Sequence, residues 1–315
     1  MTIPIFYAVD NHYAPYLAVS LQSLMANANP SNTYQIIIMA ENLSKTNRVK
    51  LQSLVTASRF HLTFKQINPA LLAEITDTDN KLRMDYFTFT IYFRLFIADL
   101  FPQYDKAVYL DADTVVLDDI SHLYSTPIGD NLIAAAKDPT IAGKPVTAAY
   151  ATNAIGVAAD HYINSGVLVM NLHALRAMQF SSVFLNLLNT YHVTCLAPDQ
   201  DYLNAMCQQR TALLDPSWNV QMETRPSTHQ SLIHFNLFAK PWHYTNVANE
   251  SYFWNYAKQT PYYAEMRTSL LTYSETARAA DKINFQRILR VAETQATATN
   301  TFRQIRDQNR EEVVI

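Results

Sequence analysis

The sequence predicts an α/β fold with a mostly parallel sheet flanked by helices. Residues 3–9, 34–39 and 61–67 read as short strands, and the stretches between them carry apolar residues at helical spacing. Alternation of this kind implies parallel neighbours joined by right-handed crossovers. Hydrophobic residues make up 49% of the 315, which supplies a sizeable core and argues against disorder.

Residues 3–9 end in Asp10-Asn11-His12-Tyr13. Leu17, Leu21, Leu24 and Met25 then repeat along one helix face, starting near Pro15, whose fixed φ suits a first turn. Ser44 caps a second helix carrying Leu51, Leu54 and Val55. Residues 88–101 read as a helix packed almost all round, with Arg94 as its anomaly. A buried guanidinium requires anions, either a core acid or a bound phosphate or carboxylate.

Residues 132–137 form a further strand ending at Asp138. Residues 144–160, polar and rich in Ala and Thr without a period, read as a loop over the active face. Residues 162–171 are another strand with Asn164, Ser165 and Gly166 at its entrance, and residues 180–191 a helix. Pro198-Asp199-Gln200-Asp201 opens the next helix, where an acid complements the helix dipole. From about residue 265 the strand signals stop, and Phe285, Ile288, Leu289 and Ala292 share one helical stripe. The expected division is a domain of residues 1–264 and a helical extension of residues 265–315, available for packing, a homo-oligomer or a peripheral contact.

Composition excludes several classes. A net charge of −3 lacks the basic surplus that nucleic-acid binding needs. Cys195 and Cys207 alone make neither a disulfide framework nor a zinc pattern. Four glycines cannot assemble a dinucleotide fingerprint or a phosphate loop. With no signal peptide and no membrane-spanning apolar run evident, a cytoplasmic location is expected, with the inner face of a membrane as the peripheral alternative.

Residues 107–117 hold the sharpest chemical signal. Apolar residues enter and leave this stretch, and Asp111 and Asp113 interrupt it. Uncompensated acids inside a buried strand are costly, so the strand is expected to end at Leu110. In an extended segment alternate residues face one way, so Asp111 and Asp113 can share a hard cation while Ala112 faces away. A polar turn explains the same pair. His234, taken alone, reads more often as a satisfied core histidine than as a ligand.

Six separated blocks, in order, resemble glycosyltransferase family 8: retaining, nucleotide-sugar-dependent enzymes of the GT-A fold. The chain looks most like bacterial members that extend surface glycans. The blocks are Tyr7-Ala8-Val9-Asp10-Asn11-His12-Tyr13, Tyr92-x-Arg94-Leu95, Leu110-Asp111-Ala112-Asp113, Asn164-Ser165-Gly166-Val167, Asp199-Gln200-Asp201 and the run from His234 to Trp242. The resemblance implies that Ala8, Asp10, His12 and Tyr13 hold a uracil base, that Arg94, Ala112 and Lys240 serve the nucleotide diphosphate, and that Asp111, Asp113 and His234 bind the metal. It also implies that Arg94, Asp138, Asn164, Ser165, Asp199 and Gln200 line the donor sugar, with Gln200 and Asp199 beside the reacting carbon. Leu237 stands where the family has glycine, so its isobutyl group must point away for the backbone N–H to reach a phosphate.

Two acids and an imidazole suit manganese, with magnesium as the other candidate. The donor is then a UDP-sugar of glucose, galactose or N-acetylglucosamine, and the acceptor a glycan on a polysaccharide or glycoprotein. An amide at residue 200 is a poor nucleophile, which favours front-face transfer over double displacement. Tyr86, Phe87, Tyr150 and Tyr162 are candidate stacking platforms for sugar rings. The rival readings are a catalytically silent sugar-nucleotide-binding subunit and a self-glucosylating, glycogenin-like primer.

Overall fold

The structure, a computed structural model, describes residues 1–75, 89–222 and 229–308. Tyr86, Phe87 and Thr88, and residues 309–315 of the expected extension, lie outside the described residues. The strands, in chain order, are β1 (Thr2–Ala8), β2 (Thr33–Ala40), β3 (Phe60–Gln66), β4 (Lys106–Leu110), β5 (Thr114–Val116), β6 (Ile133–Lys137), β7 (Ile163–Asn171), β8 (Thr211–Leu213) and β9 (Leu232–His234). The chain forms two compact units.

The first unit comprises Met1–Ile67, Ala107–Pro127 and Asp215–Asp281. Its strands lie in the order β3-β2-β1-β4, all parallel, with Ile5 opposite both Ile36 and Val108. Burial along β1 and β2 is nearly continuous, as strands covered on both faces require. Helix α1 (Ala14–Asn27) carries proline in its first turn and buries Leu17, Leu21 and Leu24. Helix α2 (Lys45–Gln52) is capped by Ser44, whose hydroxyl accepts from the Asn47 N–H at 3.1 Å. The short strands β5 and β9 pair antiparallel, with Thr114 opposite His234.

The second unit comprises Asn68–Lys106, Ile128–Leu214 and Lys282–Ile315. There β6 pairs antiparallel with β7 and parallel with β8. Helix α3 (Phe180–Tyr191) is bounded by Gln179 and His192 at φ 51° and 47°. Helix α4 (Pro198–Cys207) is buried along its whole length. Late in the chain come α5 (Glu275–Gln295) and α6 (Phe302–Gln308). Among the described residues no helix is long and apolar enough to cross a membrane.

Two expectations from the sequence are corrected. The described part of the 88–101 stretch is a 3₁₀ helix, Phe89–Phe96, followed by one α-turn, Ile97–Leu100. Three residues per turn stacks Phe89, Tyr92 and Leu95 in one row. Residues 144–160 are not a loop: Pro145–Tyr150 is a short helix, Ala151–Ile155 a wide helical turn and Ala159–His161 a 3₁₀ turn, and the short helix Pro139–Ala142 precedes them. Each piece is too short to display a period. Gly156, at φ 85°, closes the wide turn.

Candidate active site

The first unit gathers the acids. Strand β4 ends at Leu110, and Ala112 and Asp113 form a turn before β5, so the acids are presented by a bend and not by an extended segment. The Thr114–His234 register of β5 and β9, reinforced by the Phe235 N–H donating to the Asp113 carbonyl at 2.9 Å, brings the distant imidazole to that turn. His234 Nε2 lies 3.3 Å from Asp113 Oδ1 and 3.6 Å from Asp111 Oδ2. One ligand atom from each of the three residues lies within 4.8 Å of the other two. Tyr109 donates to Asp111 Oδ1 at 3.0 Å, and Thr114 donates to the Asp111 carbonyl at 2.8 Å. Ser20 lies 2.8 Å from the Thr114 hydroxyl and 3.0 Å from the Tyr7 hydroxyl, completing a buried hydroxyl chain beneath the turn.

The donor set fits a divalent cation. His234 Nδ1 lies 3.0 Å from Asn219 Oδ1. Asn219 Oδ1 also accepts from Gln221 Nε2, and Gln221 Oε1 accepts from Asn236, so the amide chain assigns the Nδ1 proton to Asn219. That leaves an Nε2 lone pair facing two carboxylates, an arrangement a cation resolves. Replacing Asn219 with alanine should therefore weaken divalent-cation binding about 10–100-fold, read by calorimetric titration.

Lys240, buried, donates to Asp113 Oδ2 and, at 2.5 Å, to the Phe235 carbonyl. Burial pushes the Asp113 carboxyl up, but the Lys240 ammonium beside it outweighs that and holds it well below the usual carboxylate range. Lys240 Nζ also sits 6.0 Å from the Tyr13 ring centre and 5.6 Å from that of Trp242, which stacks on Tyr16 at 3.7 Å. The opening loop thus meets the late Lys-Pro-Trp run. Asp10 Oδ1 accepts the backbone N–H groups of His12 and Tyr13, each at 2.9 Å. Ala8 closes β1, His12 is exposed and Ala112 is buried inside the acid-bearing turn.

Leu237 adopts φ 54°, the left-handed region. That conformation costs a leucine about 1–2 kcal/mol, and glycine returns about 0.5–1 kcal/mol of that as chain entropy. Leu237→Gly is therefore expected to stabilise the protein by about 0.5–1 kcal/mol, visible as a higher thermal midpoint.

The second unit gathers the other predicted residues around the entrance of β7 and the first turn of α4. Arg94 Nε lies 3.2 Å from Asp199 Oδ2, and its Nη1 donates to the Ser165 carbonyl at 2.7 Å and hydroxyl at 3.1 Å. The anion that Arg94 requires is therefore a core acid. The Ser165 hydroxyl donates to Asp199 at 2.7 Å. Gln200 Oε1 accepts the Ser165 N–H at 3.1 Å, while its Nε2 donates to Asp138 Oδ2 at 3.0 Å and to the Tyr162 hydroxyl at 3.3 Å. Asp138 Oδ2 also accepts from Asn164 at 3.1 Å, and Oδ1 caps the short helix through Thr140 and Ile141.

Sequence reasoning missed the residues behind this set. Asp201, fully buried, accepts from Tyr150 at 2.8 Å, Tyr162 at 2.5 Å and the N–H groups of Leu196 and Ala197 at 2.8 and 3.0 Å. Burial raises its carboxyl to about 6 against the pull of these donors, and four donors meeting its two oxygens fit the carboxylate form. Tyr150 and Tyr162 are fully buried and hydrogen-bonded to this acid, which corrects their reading as sugar platforms. Asn204 joins Gln200 and both backbone groups of Ile163. Asn204 follows Gln200 by one helical turn, but no pattern in the chain marks Asn219.

Residues 4–246 match Glycosyl transferase family 8. A putative glycosyltransferase of Haemophilus influenzae is 27% identical over 69% of this chain, which spans 63% of that relative's length. A lipopolysaccharide 1,2-glucosyltransferase of Escherichia coli K12 is 27% identical over 75% of this chain and 72% of its own. The solved galactosyltransferase LgtC, in complex with donor and acceptor sugar analogues, shares 25% identity with a TM-score of 0.72, covering 85% of this chain and all of that one. WbbM, a bifunctional glycosyltransferase, has the same fold with a TM-score of 0.71, and this chain spans 52% of its length. With a GT-A architecture and a family match across most of its length, the chain belongs to glycosyltransferase family 8.

Proposed function

We propose that the protein is a retaining, metal-dependent transferase that moves a hexose or N-acetylhexosamine from a UDP-sugar to a lipopolysaccharide-type or other surface glycan. The observation that carries this reading is the convergence of Asp111, Asp113 and His234, with the Lys240 ammonium at its edge. Asp111, Asp113 and His234 would hold a divalent cation, manganese in the first instance, which when bound would supply charge neutralisation for a departing diphosphate without proton transfer. Lys240 meets the same charge as a point cation. Asp10 and Tyr13 hold the base.

Arg94, Asp138, Asn164, Ser165, Asp199 and Gln200 bind the donor sugar. Asp199 is tied to Arg94 and Ser165, which makes it an anchor for hydroxyls and a weak nucleophile. Departure and attack on one face follow, with the leaving phosphate oxygen taking the acceptor proton and the Gln200 amide dipole stabilising the cationic sugar.

The test is UDP release and heat protection with UDP-glucose, UDP-galactose and UDP-N-acetylglucosamine, each with and without manganese. Manganese-dependent release from at least one donor is expected. Absence of both release and protection across the panel would overturn the reading, and a trapped glycosyl-Asp199 adduct would overturn the front-face route.

A further inference from the structure

We infer that Tyr162, held by Asp201, is a positioning residue that fixes the side-chain amide of Gln200. The inference rests on the reading that Gln200 faces the reacting sugar. It follows from counting donors and acceptors.

A carboxylate only accepts. Asp201 receives four donors, two of them backbone N–H groups and two tyrosine hydroxyls. Tyr162 has one proton, and it goes to Asp201. Its oxygen can therefore only accept from Gln200, so Gln200 must present its NH₂ group on that side. Asp138 Oδ2 takes the second amide proton, and the Ser165 N–H donates to Oε1 from the other side. Three of the four hydrogen-bonding capacities of the amide are spent within the protein. What remains is one lone pair on Oε1, so Gln200 can offer the substrate an acceptor and no donor.

Tyr162 and Tyr150 form a matched pair. Each is fully buried and each gives one hydroxyl to Asp201, but only Tyr162 is hydrogen-bonded to Gln200. Tyr162→Phe frees one amide proton in a site where Gln200 is 7% exposed. A merely structural hydrogen bond predicts equal effects of Tyr150→Phe and Tyr162→Phe. A positioning role predicts different ones.

The experiment measures steady-state UDP release from UDP-glucose and UDP-galactose with manganese, together with the side-chain amide signals of the protein grown on isotope-labelled glutamine. The Gln200 signal is identified by its loss in Gln200→Met. Tyr162→Phe should lower kcat about tenfold, the size expected for one unsatisfied buried donor, with KM for the donor within about twofold. Its Gln200 amide protons should shift and exchange faster with solvent. Tyr150→Phe should leave kcat, KM and the Gln200 amide signal at wild-type values. An unchanged Gln200 signal in Tyr162→Phe, or an equal fall of kcat in both variants, overturns the inference. The amide readout needs no turnover, so an inactive wild-type protein would defeat the proposed function while this assignment was still decided.

Discussion

Asp113→Asn is expected to abolish manganese-dependent UDP release, lowering kcat by about 10³-fold or more, as loss of a group that stabilises developing charge does. Asp113 faces two ways: Oδ1 lies 3.3 Å from His234, and Oδ2 receives the Lys240 ammonium. An asparagine offers one neutral oxygen in place of two charged ones, and its NH₂ group must face either the imidazole or the ammonium. The substitution also strands Lys240, which is 4% exposed. Breaking a buried ion pair from one side costs about 3–5 kcal/mol, so a lower urea midpoint is expected alongside the lost activity. Adding Lys240→Met to Asp113→Asn should recover most of that stability and none of the activity, since the uncompensated charge is gone while the cation ligand is still missing. Manganese-dependent release at wild-type rate in Asp113→Asn would remove Asp113 from the metal site.

The same pair sets an acid limb. The folded protein holds the Asp113 carboxyl below its unfolded value. Its stabilising contribution is present above the ordinary carboxylate range and is lost as pH falls through the lower folded value. Asp113→Asn should flatten that limb in urea melts at falling pH.

Arg94→Met is expected to destabilise the protein by about 3–5 kcal/mol. The guanidinium closes a ring with Asp199 and both oxygens of Ser165, and the side chains of Arg94 and Asp199 are 6% and 7% exposed. Methionine fills much of the same volume but leaves the Asp199 carboxylate with the Ser165 hydroxyl in place of a cation. The urea midpoint should fall at unchanged slope. Asp199→Asn placed on Arg94→Met should recover a large part of the loss, because the residual charge disappears. Lysine at position 94 should rescue poorly, since a point charge cannot reach Asp199 and Ser165 together in the geometry of the planar fork. A midpoint within about 0.5 kcal/mol of wild type would show that the pair contributes little to the fold.

Much of the architecture was legible because it is written in local periodicity. Residues 3–9, 34–39 and 61–67 read as strands, and the structure has β1, β2 and β3 there in parallel register. The expected helix at residues 180–191 coincides with α3. Ser44 was legible as a cap because capping is a contact across three residues. The helices between Pro139 and Ile155 were not, since four to six residues cannot establish a period. The 3₁₀ winding at Phe89–Phe96 was hidden for a related reason: an apolar stretch looks alike at three or 3.6 residues per turn.

The meeting of Asp111 and Asp113 with His234 could be expected only through resemblance, because it depends on a two-stranded pairing between segments 120 residues apart, with Thr114 opposite His234. Asn219 and Asp201 lay beyond reach for another reason. Their roles are set by which donor is spent on which acceptor, and residue type alone does not disclose that.

The hydroxyl chain beneath the acid-bearing turn has a direction. Thr114 spends its single proton on the Asp111 carbonyl, so Ser20 must give its own to Thr114, and Tyr7 in turn must give to Ser20. The row is therefore a one-way street with its origin at Tyr7. Phenylalanine at the origin removes only the first giver and leaves every later proton with its taker. Alanine at position 20 cuts the row in the middle and leaves a phenol with no taker in the interior. Of two equally buried neighbours, the smaller is the one this protein can less well spare.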